Sequence, residues 1–409
     1  MEPPNALCIN LPNYLGDREH GLTKLEWTVI FIGRVILNLS FRVVYPYLPA
    51  ISRGLNISFQ QAGLFLTARS ATGLAAILFG GLAQRIGYVR WMAIALSILL
   101  LGGLLISLSG SFFLALLGFA LLGLAQTAYV PASQAYVSAT VPYSKRGRVI
   151  GLIETSWPAS WFLGIPICGV LIASLGWRSP FLLITAAGLV TLFVTARMRP
   201  PSVIPQTLSN PSADRSDSNG LPFLGTASTL VLFTTFFISF ANENIMVIFG
   251  AWLERSFSLQ VEALGFLSSF AGLAELGGDL TVALAVDRLG KRRTLAAGML
   301  TASIAYLGLI ACRHSLILAI AGLMAVFFLS ELIFVSMVSY VSELSPLQRG
   351  KWLAANFSMN VAGRLCASLS GPWLWAMNQT ILPNAVISSL SSLLGCALFS
   401  WISFRSARS

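Results

Sequence analysis

Nine ionisable side chains stand where the sequence is otherwise apolar: Arg34, Arg42, Arg69 and Arg364, with Glu154, Glu243, Glu275, Asp279 and Glu331. A charge at the centre of a membrane helix costs roughly 2.5–3.5 kcal/mol on insertion scales. The near-balance of bases and acids predicts that these groups pair across a central hydrated cavity instead of facing lipid. Glu275 and Asp279 are one helical turn apart, about 40° around the axis. Two carboxylates that close in a low dielectric cannot both ionise cheaply. That is the chemistry of a proton carrier; the alternative is a salt bridge to an arginine of another segment. Glu243, flanked by Asn242 and Asn244, and Glu331 are the other proton-coupling candidates. A gate contact for the first and a helix anchor for the second are the competing roles.

The remaining polar residues form stripes. Arg34, Asn38 and Arg42 recur at i, i+4 and i+8, with Tyr45 near the same face. They read as a cavity wall for an anionic or polar substrate group, or else as structural pairing and snorkelling. Asn356, Asn360 and Arg364 repeat the spacing and predict substrate or gate contact, against helix–helix adhesion through polar side chains. Glu154, Trp157 and Trp161 place an acid beside two indoles, a site for an organic cation or flat ring, or a tryptophan packing face. Arg69 falls at mid-membrane and joins the cavity set.

The elements that must position these groups are membrane helices. The chain has 409 residues, 56% hydrophobic and 10% charged, with a mean hydropathy of +0.78. Soluble domains carry about 25% charged residues, so a cytosolic enzyme, a disordered chain and a nucleic-acid-binding domain are excluded. About 20 apolar residues cross a bilayer. Twelve such runs follow one another, numbered here as spans 1 to 12: 27–49, 60–83, 91–109, 112–138, 149–175, 180–197, 223–249, 261–285, 294–311, 315–341, 352–376 and 383–403. The expected organisation is a cytoplasmic tail (1–26), a six-helix bundle (27–196), a Pro-, Ser- and Asn-rich linker (197–222), a second bundle (223–403) and a short cytoplasmic tail (404–409). No cleaved signal peptide is expected from the polar first 24 residues.

With both termini inside, 18 of the 26 Lys and Arg residues fall in cytoplasmic segments and four in the opposite loops. This positive-inside bias accounts for the net charge of +11 without a polyanionic partner. The five cysteines are scattered and the two histidines far apart, so neither a disulfide framework nor a metal site is expected. No nucleotide-binding loop and no hydrolase motif occurs, and no cofactor is expected.

The halves echo each other. GGLAQRIGYVR (80–90) corresponds to ALAVDRLGKRR (283–293), and AYVSATVPYSKRGR (135–148) to SYVSELSPLQRGK (339–351). A parallel repeat of two six-helix units is a transporter architecture. The first loop resembles the Gly-x-x-x-Asp-Arg-x-Gly-Arg-Arg signature of the major facilitator superfamily through Gly80, Arg85, Gly87 and Arg90; its second copy supplies Asp287, Arg288, Gly290, Lys291 and Arg292. GWRSPF (176–181) is similar to drug:proton antiporter-like members. The departures are Gln84 for the signature aspartate, Ala283 for the second copy's first glycine, and Phe119 where antiporters carry a span-4 arginine. The span-5 antiporter motif survives as Gly164, Pro166 and Gly169.

The resemblance implies an all-α fold of twelve helices in two pseudo-symmetric bundles, working by alternating access, with the two signature loops as cytoplasmic gates. The expected function is export of a small organic molecule in exchange for protons. The alternatives are uptake or exchange of an organic anion, and a non-transporting sensor or assembly factor on the same scaffold. A monomer in a bacterial plasma membrane is expected, with no enzymatic activity.

Overall fold

The computed structural model describes residues 22–198, 200, 226–344 and 348–406. Most of the expected linker and tails lie outside the described residues, as do the surroundings of Gly80 and the side chain of Asp287. Among the described residues eight helices are long and apolar enough to cross a bilayer: Tyr88–Ser107, Phe112–Thr140, Lys145–Leu175, Thr229–Phe257, Val261–Val286, Lys291–His314, Leu316–Glu343 and Leu382–Trp401. They are spans 3, 4, 5, 7, 8, 9, 10 and 12.

The other four spans are also helical, and each departs from a straight apolar rod for a visible reason. Span 1 is Lys24–Arg42 followed by Val44–Gly54, bent by 56°. Pro46 offers no N–H to the carbonyl of Arg42 and its ring crowds that turn, which breaks the ladder there. Span 2 runs as Phe59–Ala71 and Ala76–Ile86, joined by a tighter turn at Thr72–Ala75. Span 6, Ser179–Thr195, is 17 residues long. Span 11, Arg349–Asn378, spans 30 residues but is diluted by its asparagines and arginine. Thr23 and Ser58 start spans 1 and 2 as reciprocal caps with Glu26 and Gln61, satisfying the orphan amides of the first turns.

The pairing of helices repeats between halves. Span 3 packs on 4 and 6 as span 9 packs on 10 and 12, and span 1 packs on 4 and 6 as span 7 does on 10 and 12. Small residues permit the close approaches: a Cβ on Gly102 or Gly118 would lie 2.9 Å from the other's carbonyl oxygen. Between apolar helices in lipid, such backbone proximity is a main source of packing energy. Gly87 and Gly290 occupy the same place in the two copies of the signature loop, each at positive φ (+94° and +86°) and each opening the next helix.

The halves meet through span 1 with 7, span 2 with 11 and span 5 with 8. These contacts gather toward the end bearing loops 55–58 and 257–260. There Gly250 lies against the main chain of Pro46, and Gly63 against the ring of Pro372. Tyr47 Oη donates to Ile165 O at 2.7 Å between Gly169 and Gly265. Arg53 and Glu254 form an ion pair of 2.6 Å at the rim. At the opposite, basic end, Ala76–Ile86 and Tyr143–Glu154 pack against members of their own half. The described contacts between the halves are thus concentrated at the end opposite the basic loops.

Candidate functional site

Span 1 carries three charged layers along its length. In the layer nearest the basic end, Arg34 donates to both oxygens of Glu154, at 2.8 and 2.6 Å. Gln134 Nε2 adds a third bond to Glu154 at 2.8 Å. The arginine is 4% exposed and the carboxylate 42%, so this fork joins spans 1, 4 and 5 and leaves one edge of the acid in water. One turn on, Asn38 donates to Ser156 Oγ at 3.3 Å and accepts from Gln126 at 3.4 Å.

The second charged layer crosses between the halves. Arg42 Nη2 donates to Glu275 Oε2 at 2.7 Å, with side chains 2% and 8% exposed. The guanidinium lies over the rings of Trp157 and Trp161, 3.8 and 4.7 Å from their centroids. Trp161 is fully buried and donates Nε1–H to the same Glu275 oxygen at 3.2 Å. A buried pair of this kind persists only where further polar contacts satisfy it, and the indoles supply them on one side. Nε and Nη1 of Arg42 have no hydrogen-bond partner among the described residues. Glu275 thus takes the arginine of another span. Asp279 follows one turn on, where span 8 packs closely on span 10: a Cβ on neighbouring Gly278 would lie 3.0 Å from Glu331 Cβ.

The third layer centres on Tyr45, just beyond the bend of span 1. Its hydroxyl accepts from Arg69 Nη2 at 2.9 Å and Arg364 Nη2 at 2.7 Å, and donates to Glu243 Oε1 at 2.8 Å. Arg364 Nε also donates to Glu243 at 3.1 Å. Arg69 donates to the Phe41 carbonyl, and its Cζ lies 3.6 Å from the Phe41 ring centroid. Four spans from both halves meet at this one phenol.

Seven of the nine intramembrane charges, all but Asp279 and Glu331, therefore hydrogen-bond to protein partners. The stripe of span 11 divides. Asn356 accepts from Thr235 at 2.6 Å and Asn360 donates to Ser239 at 2.7 Å, both tying span 11 to span 7, and Arg364 alone of the three reaches the other half. Sequence reasoning missed Phe41 and Gln134. The glutamine was findable as a polar residue inside an apolar run, whereas nothing in the sequence distinguishes Phe41 from any core phenylalanine. In the signature loops, Arg85, Arg90 and Arg288 are exposed. Lys291 pairs with Glu343, and Arg292 lies 6.0 Å from the Tyr340 ring centroid. Among the described residues no three His, Cys, Asp or Glu side chains are grouped to hold a metal ion.

The profile of the Major Facilitator Superfamily matches residues 30–229 and 231–408. The chain belongs to the major facilitator superfamily. It is 24% identical over 361 residues to the uncharacterized MFS-type transporter YceJ of Bacillus subtilis, covering 88% of this chain and 91% of that one. It is 26% identical over 298 residues to the multi-drug resistance efflux pump PmrA homolog of Lactococcus lactis, covering 69% and 72%. A crystal structure of a bacterial homolog of the human lysosomal transporter Spinster, in an inward-facing and occupied conformation, superposes with a TM-score of 0.71 at 15% identity, over 92% of this chain and 96% of that one. The protein is a membrane transporter of this superfamily and not an enzyme. Phe119, which replaces the antiporters' span-4 arginine, is fully buried. It stacks on Phe65 at 4.8 Å and meets Phe181 edge-on at 5.5 Å, so that position has become part of an apolar core.

Proposed function

We propose that the protein is a proton-coupled secondary transporter that carries a small organic molecule by alternating access, in the export direction. The reading rests above all on the gathering of three carboxyl groups, Glu275, Asp279 and Glu331, where spans 8 and 10 pack together and Arg42 reaches Glu275. Carboxyl groups brought together in a low dielectric beside a single cation cannot all ionise cheaply. A site that must hold a proton in one state and release it when the halves rearrange is what coupling requires. The efflux-pump name of the Lactococcus relative supports the direction. The excess of Lys and Arg at the end away from the contacts between the halves supports cytoplasmic termini and an inward-facing state. In the same reading the protein works as a monomer in a bacterial plasma membrane, and the loops around Gly87 and Gly290 close the basic end in the opposite state.

A second reading is uptake or exchange of an organic anion. Its support is the excess of guanidinium around Tyr45, where two arginines stand beside one carboxylate that Arg364 alone engages.

The test is a reconstituted system with a pH-sensitive dye trapped in proteoliposomes. A matched panel of aromatic carboxylates and lipophilic ammonium ions is added outside under an imposed pH gradient. Proton movement triggered by a panel member in the wild type, and lost in Asp279→Asn or Glu331→Gln, supports coupling. Transport that ignores the gradient, with Glu275→Gln, Asp279→Asn, Glu331→Gln and Glu243→Gln all harmless, overturns it. Which class triggers the flux separates the two readings.

A further inference from the structure

The Tyr45 layer is saturated in hydrogen bonds yet unbalanced in charge. A phenol has one proton and two lone pairs, and here the proton goes to Glu243 while the lone pairs go to two guanidiniums. Those two cations meet one carboxylate, and Arg364 is the one that takes it. Arg69 makes no ion pair among the described residues. Its partners are the phenol, the Phe41 carbonyl and the Phe41 ring. It is 1% exposed, and its Nε is buried without an acceptor. An arginine cannot shed its proton, and a buried charge without a counter-charge is strongly unfavourable. Neutral oxygens relieve part of that cost; an anion would relieve the rest.

We propose that Tyr45 stands in for a carboxylate. The cargo is an organic acid whose anionic group takes the place, between Arg69 and Arg364, that the phenol oxygen fills here. This rests on the transport reading and names its cargo class. Arg364 is the point of entry: its side chain is 25% exposed, and Nη1 makes no hydrogen bond among the described residues. A carboxylate reaching Nη1 and Nη2 together forms two parallel charge-assisted bonds, a geometry unavailable to a single hydroxyl. Phe41 and Trp157, both half-buried with ring centroids 6.2 Å apart, supply an aromatic wall next to it. Organic cations are repelled by the two guanidiniums. The rival acid for a cation, Glu154, is already neutralised by the Arg34 fork. Displacing Tyr45 also cuts the bond from span 1 to Arg364 of span 11, so loading loosens a tie between the halves.

The experiment measures binding to the full-length protein in lipid nanodiscs by tryptophan fluorescence. The probes are benzoate, 2-naphthoate, decanoate and their ammonium counterparts. Carboxylates are expected to bind the wild type. Tyr45→Phe should bind them about tenfold more tightly, because the competing acceptor is gone. Arg364→Gln should lose at least that factor, and Arg364→Lys, which keeps the charge but not the fork, should fall between. Weaker carboxylate binding in Tyr45→Phe would mark the tyrosine as a mere tie and overturn the proposal. So would binding confined to the ammonium probes. Proton-driven flux of an ammonium probe in the proteoliposome assay would then leave the transport reading standing, whereas carboxylate binding without any proton-linked flux would retain this site and defeat that reading.

Discussion

Arg42 and Glu275 hold each other at 2.7 Å across the boundary between the two halves, sealed from water and roofed by two indoles. Removing either partner leaves a buried charge without its counter-ion, which typically costs about 3–5 kcal/mol. Removing both leaves a cavity but no orphan. Arg42→Leu and Glu275→Leu should therefore each lower the melting temperature in detergent strongly, and the double variant should melt above at least one of the singles. A double variant whose loss equals the sum of the singles would mean that the pair carries no coupling energy.

The Arg34–Glu154 fork predicts an asymmetry. Arg34 is almost fully buried, while Glu154 has 42% of its side chain exposed. Glu154→Ala strands a buried guanidinium and should cost about 3 kcal/mol or more. Arg34→Ala leaves a carboxylate that water and Gln134 can still serve, and should cost about 1 kcal/mol on the electrostatic side. Chemical denaturation of the two variants in matched nanodiscs orders them; equal losses would contradict the burial difference.

Gly87 and Gly290 test the backbone separately from packing. An added Cβ meets nothing within 4 Å at either position, so the constraint is φ alone. Alanine there should cost about 1–3 kcal/mol through strain. Gly151 also has open space around it but sits in a helix, and Gly151→Ala should gain about 0.5–1 kcal/mol. Thermal melts of the three alanine variants should show opposite signs.

The spans were legible because membrane helices carry the strongest signal a sequence has: long apolar runs punctuated by polar turns. The equivalence of Gly87 and Gly290 was legible for a related reason, since both copies need the same forbidding dihedral. The bend after Arg42 was missed although Pro46 announces it, because a proline inside an apolar run reads first as part of the span. Partner choice was not legible. Periodicity places Asn356, Asn360 and Arg364 on one face, yet that face meets Thr235, Ser239 and Glu243 by turns. Likewise Glu275 and Asp279 share a face, yet only Glu275 hydrogen-bonds an arginine among the described residues. Which helix lies opposite depends on glycine contacts such as Gly250 on Pro46, which no local pattern reveals.

Five carboxyl groups and four guanidiniums occupy the spans, so the interior reaches electroneutrality only while one proton is shared among the acids. Stripped of that proton and of cargo, it is an anion embedded in a nonconducting film. Every swing of the halves in that state shifts a unit of charge across the membrane's electric field, at roughly 2.3 kcal/mol per 100 mV for a full crossing. A stroke made in that proton-free state is voltage-sensitive, whereas the proton-loaded return of an exchanger moves no net charge in these groups.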